Sequence, residues 1–179
     1  MITGESIKSA ISSKLAAEYP TVYDIDDPEV VLFRGIPIYK EKIAQGAERP
    51  YFAIAQLDLD QQKLMKEKYN RLYQMKVSYY SNIGDLQQFK NLDEMGNELL
   101  ELLRTIEVES GQPIITEVEG FEDVVTPQMY PVRGIQMSSK IVDDVLQFFV
   151  SYLVRVEIPQ EHTKMTNLST NVYKTEHIQ

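Results

Sequence analysis

Residues 45–62 read QGAERPYFAIAQLDLDQQ. Gly46 and the Arg49-Pro50 step punctuate the start, and from Tyr51 to Asp60 the side chains follow the period of a β-strand. Tyr51, Ala53, Ala55, Leu57 and Leu59 share the face that reads as inward. Phe52, Ile54, Gln56, Asp58 and Asp60 share the other, which turns polar halfway. The stretch is either a strand holding a carboxylate pair for a divalent ion or an assembly strand whose aspartates meet water.

Working outward, YNRLYQMKVSYY (69–80) sets Tyr69, Tyr73, Met75, Val77 and Tyr79 against Asn70, Gln74, Lys76 and Ser78, again at period two. The two strands predict a long hairpin closed by the lysine-rich QQKLMKEK (61–68). Near the end of the chain Leu146, Phe148, Val150, Tyr152, Val154, Val156 and Ile158 share one face. Val132 to Val142 can pair with that strand through a turn at Asp143-Asp144.

Two helices accompany the strands. Thr3 is the expected N-cap of a helix over residues 3–19, with Ile7, Ile11, Leu15 and Tyr19 as its stripe and Pro20 as its stop. A second is expected to be capped by Asn91 with Glu94 three residues on, its apolar side running from Leu92 through Met95, Leu99, Leu102 and Leu103 to Ile106. The fold class is therefore α+β: an antiparallel sheet of four or more strands packed against two helices, with a C-terminal extension. Residues 1–158 form the domain, with apparent insertions near 26–35 and 107–131, and 159–179 form an arm. TVYDI (21–25) reads as a short strand before an inserted loop or hairpin. Residues 107–131 read as a long acidic connection, with six acids and no basic residue before Arg133.

Composition narrows the function. With 179 residues the chain fits one domain. Its 43% hydrophobic and 25% charged residues are those of a globular protein. No run of apolar residues reaches the length of a membrane span, and the N-terminus lacks the pattern of a signal peptide, so neither membrane nor secretion is expected. The absence of cysteine excludes disulfides, thiolate metal sites and a cysteine nucleophile. A net charge of −9 opposes broad phosphate binding, which depends on lysine and arginine.

Reaction chemistry does not assemble. Asp58 and Asp60 would need another acid and a nearby lysine to hold Mg²⁺ as nucleases do, and none of the twelve lysines has an acid two residues before it. His162 and His177 lie in the polar arm, outside zinc-ligand spacing. No nucleophile elbow or phosphate-cradling glycine loop is present, and Ser138-Ser139 reads as part of a strand. The expectation is no enzyme, no cofactor and no metal. Tyr69, Tyr73 and Tyr79 share a face on which Arg71 is the one charge, which suits buried tyrosines better than a nucleic-acid stacking platform.

IPIYKEKIAQGAERPYFAI, EKYNRLYQMKVSYY, EMGNELLELL and DDVLQFFVSYLVRV together resemble the bacteriophage tail terminator, or tail completion, proteins. The most specific parts are Gln45-Gly46, Arg49-Pro50 with Phe52, Tyr69-x-Arg71-x-Tyr73 and Val145-Leu146-x-Phe148-Phe149. The resemblance implies a virion structural protein, assembled in the host cytoplasm. It would form a homohexameric ring on the head-proximal end of the tail tube, stop tube polymerisation and join the head-tail connector protein. Its implied partners are further copies of itself, the tube protein, the connector, and DNA passing through the lumen without specific binding. Glu117, Glu119, Glu122 and Asp123 are the expected lumen or rim acids, and Met165, Leu168, Val172, Tyr173 and Ile178 the expected anchors of an assembly arm. A connector or neck subunit is the second reading, and a Mg²⁺-dependent nuclease using Asp58 and Asp60 the third.

Overall fold

A computed structural model describes residues 2–23, 29, 31–33, 35–65, 68–82, 88–116 and 124–157. Helix α1 spans Gly4–Glu18, and Thr3 caps it in a reciprocal box with Ser6. The box satisfies donors that the first helical turn leaves free. Ile7, Ile11 and Leu15 are fully buried, so the stripe read from the sequence is the one that packs.

Strands β1 (Val22–Tyr23) and β2 (Val31–Phe33) pair antiparallel as a small separate hairpin. The main sheet has β3 (Ile38–Lys40), β4 (Tyr51–Met65), β5 (Lys68–Tyr80), β6 (Thr105–Thr116), β7 (Val124–Val142) and β8 (Val145–Glu157). Its order is β3-β4-β5-β8-β7-β6. The expected antiparallel sheet is corrected at one edge, where β3 runs parallel to β4. Residues 41–50 make this crossover without a helix, turning at Glu41 (φ 71°) and at Gly46 (φ 80°), where the missing side chain removes the steric cost. The Asp143-Asp144 turn is as expected: both residues have positive φ, 50° and 60°, which matches a tight hairpin to the strand twist.

The inward face of the first half of β4 is the reverse of the expected one. Phe52 and Ile54 are 0% and 1% exposed beneath α1, whereas Leu57 and Leu59 are 50% and 43% exposed. Up to Gln56 the even positions stand opposite the helix side of β5, with Phe52, Ile54 and Gln56 facing Tyr79, Val77 and Met75; a register shift follows, and Asp58 pairs with Gln74. The extra residue, Leu57, switches the alternation, so that Leu59 stands opposite the buried Tyr73 on the expected side of the sheet. Asp58 and Asp60 thus share a face with Gln74 and Leu72, on the side of the sheet away from the helices.

Helix α2 spans Gln88–Leu102, so Asn91 lies inside it and not at its cap. A capping pattern carries no absolute position, and the upstream Gln88 and Lys90 are good helix formers. Ile106, expected on this helix, belongs to β6. The acidic connection is likewise corrected. Much of 107–131 is strand, with Ile106 and Val108 buried while Glu107 and Glu109 face out. The first half of β7 pairs with β6 and the second half with β8, and the change comes at Gly134. There the Gly134 N–H donates to the Arg104 carbonyl at 2.9 Å, and an added Cβ would stand 3.0 Å from Val150 Cγ2. The sheet curls at this corner around one core, in which α1 lies on β6, β4 and β3, and α2 on β8 and β7.

Candidate functional site

Tyr69, Tyr73 and Tyr79 of the paired strands serve the core. Tyr73 is buried and donates to the Ile2 carbonyl at 3.1 Å, tying down the segment before α1. Tyr19, Phe52 and Tyr79 form a run of tilted rings with centroids 5.4 and 5.0 Å apart. Tyr19 also donates to Glu98 Oε2 at 2.7 Å, joining the two helices. Burial first, and then that carboxylate, holds its phenol well above the usual range.

The opposite face of the sheet carries no helix among the described residues. Across it Tyr51, Tyr80 and Val145 stand in register, followed by Ala53, Ser78 and Gln147, and then Ala55, Lys76 and Phe149. Tyr51 meets Tyr39 edge-on and stacks on Tyr80, and the Arg49 guanidinium lies 5.5 Å from the Tyr80 ring centre. The 41–50 crossover is pinned to α1 by Lys8, whose ammonium is 2.6 Å from Glu41 and 2.7 Å from Glu5. Hydrogen bonds to those carboxylates hold Lys8 above its ordinary pKa, and the same contact lowers that of Glu41.

The sheet ends on two unlike edges. On one side β3 covers only Phe52 to Ile54, so among the described residues Ala55 to Met65 of β4 pair with β5 alone. This free edge carries the exposed Leu57, Leu59 and Leu64. On the other side β6 is terminal among the described residues, and a groove of about 810 Å³ runs between it and α1, with Met129 of β7 also in its lining. Ser6, Ser9, Ser13 and Lys14 line the helix wall, while Glu107, Glu109 and Met129 line the strand wall. Lys14 donates to the Thr105 carbonyl across the inner end.

Asp58 and Asp60 are exposed, and the Asp58 carboxylate accepts from the Leu59 N–H at 2.7 Å. Among the described residues no three histidine, aspartate or glutamate side chains come together as a metal site. Glu117, Glu119, Glu122 and Asp123, in the segment joining β6 to β7, lie outside the described residues, as do Met165, Leu168, Val172, Tyr173 and Ile178. Sequence reasoning missed the β4 edge and the α1–β6 groove. Their available signals were exposed-looking leucines within a charged run and the Ile106/Glu107/Val108/Glu109 alternation.

Among the described residues no helix is long and apolar enough to cross a membrane. No curated protein matches the chain significantly. A family model described as phage tail terminator protein matches residues 6–164, most of the chain, and the protein belongs to that family. Membership implies a structural role in tail assembly and a place in the virion tail.

Proposed function

We propose that this member of the phage tail terminator family forms a hexameric ring on the head-proximal end of the tail tube, halts tube growth there and presents a surface to the head connector. One observation carries the reading: a single sheet that ends on two different edges, β3/β4 and β6. A contact between unlike edges of neighbouring copies is heterologous, and such contacts close into rings when the rotation per copy divides a full turn. The exposed leucines along β4 would be covered in that assembly.

The finer assignments rest on this ring. The acids Glu117, Glu119, Glu122 and Asp123 would face the lumen or its rim and repel passing DNA, and the arm from Met165 to Ile178 would order against a neighbour. DNA would pass without specific binding, and assembly would take place in the host cytoplasm. Mixing the purified protein with capless tail tubes tests the role. The terminator reading expects label at one tube end and arrested growth, whereas a connector subunit would leave bare tubes unlabelled.

A further inference from the structure

We propose that the β4–β5 hairpin of one copy docks in the groove between α1 and β6 of the next. The inference rests on the ring reading and names its contact. The hairpin is an edge looking for a partner: from Ala55 onward β4 has no neighbour on its outer side among the described residues. Leu57, Leu59 and Leu64 are 50%, 43% and 42% exposed there. Edges of this length with exposed apolar side chains pair with other chains unless covered. The groove offers the matching half. Its strand wall is the terminal strand β6 with Met129 of the adjacent β7, its helix wall is built of small serines that allow close approach, and Met129, 48% exposed, provides an apolar contact.

Charge selects this occupant over the chain's own arm. The hairpin end, residues 61–68, has three lysines against one glutamate, whereas residues 158–179 have two lysines and two glutamates. The groove walls carry Glu107 and Glu109 as well as Glu5, which is paired with Lys8, and their single lysine, Lys14, is held by the Thr105 carbonyl. A basic hairpin whose two strands are already paired meets this surface with little further ordering cost.

The cysteine-free chain makes the contact directly testable. Two full-length proteins of different tag mass, one Lys63→Cys and one Glu107→Cys, are mixed on tail tubes and mildly oxidised. Both positions are exposed, so the variants are expected to fold. A disulfide-linked pair containing one chain of each mass is the expected product, and a chain carrying both substitutions should give a ladder of covalent oligomers. Rings that form on the tubes without the mixed pair would overturn the docking while leaving the ring reading intact. A Met165→Cys chain that links to Glu107→Cys in place of Lys63→Cys would overturn it in favour of the arm. Failure to form any ring would overturn both.

Discussion

The Tyr152 hydroxyl donates to the Leu103 carbonyl at 2.8 Å, fully inside the core. Leu103 follows the last turn of α2, where carbonyls have lost their helical partners, so a strand side chain closes the end of the helix. Burial holds the Tyr152 phenol above its ordinary range, and at neutral pH it remains the donor. Tyr152→Phe keeps the packing and strands the carbonyl. Thermal unfolding should report a loss of about 1–3 kcal/mol, the cost of an unsatisfied buried group. A melting temperature equal to that of the parent protein would show that water replaces the hydroxyl.

The contact between Lys8 and Glu41 predicts an acid-side dependence. Glu41 has a lowered pKa in the folded chain, so its contribution is present above its unfolded value and is lost as pH falls through the folded one. Lys8 is raised, so its share is complete below 10.5 and is lost only as pH rises through the higher folded value. Glu41→Gln should therefore lower the melting temperature at neutral pH and flatten its fall below about pH 4.5, where the wild-type carboxylate also protonates. Parallel curves for the two proteins across that acid range would remove the ion pair from the account.

Much of the fold was legible where one side of an element is uniformly apolar. The stripe of Ile7, Ile11 and Leu15 and the β8 series from Leu146 to Val156 needed no tertiary information, because burial of one face is written into their period. The β4 faces were misread for a local reason. Ala53 and Ala55 alternate as regularly as Phe52 and Ile54, so the period does not say which set faces the helices. The shift at Leu57, a property of the pairing with β5, reverses the first half while Leu59 keeps the expected side. Acid masked β6 in a similar way: Glu107 and Glu109 make its outward half resemble a loop. The β4 edge and the α1–β6 groove were not legible because both depend on which strands end the sheet.

The proposed arm separates assembly from folding. Its sequence is too polar to form a core alone, yet Met165, Leu168, Val172, Tyr173 and Ile178 offer apolar anchors. Removal of residues 159–179 should leave the melting temperature within about 2 °C of the full chain, as expected when few buried contacts are lost. Tail completion should fall sharply. Normal tails from the truncated protein would eliminate the arm as an assembly element.

The acids between β6 and β7 predict a phenotype in DNA transit. Duplex DNA carries one charge per roughly 1.7 Å, and at physiological salt its field extends only about 8 Å, so acids act on it only from the channel wall or rim. Combined replacement of Glu117, Glu119 and Glu122 by lysine should permit tail assembly while slowing DNA ejection, with relief at high salt. Ejection at the parental rate would place these acids away from the channel.

The ring itself is tested most directly by averaged electron images of complete tails bearing a tagged copy of this chain. The account predicts a single labelled ring with sixfold rotational symmetry at the head-proximal end of the tube. Label elsewhere on the tail, or a ring of another symmetry at that end, would contradict it.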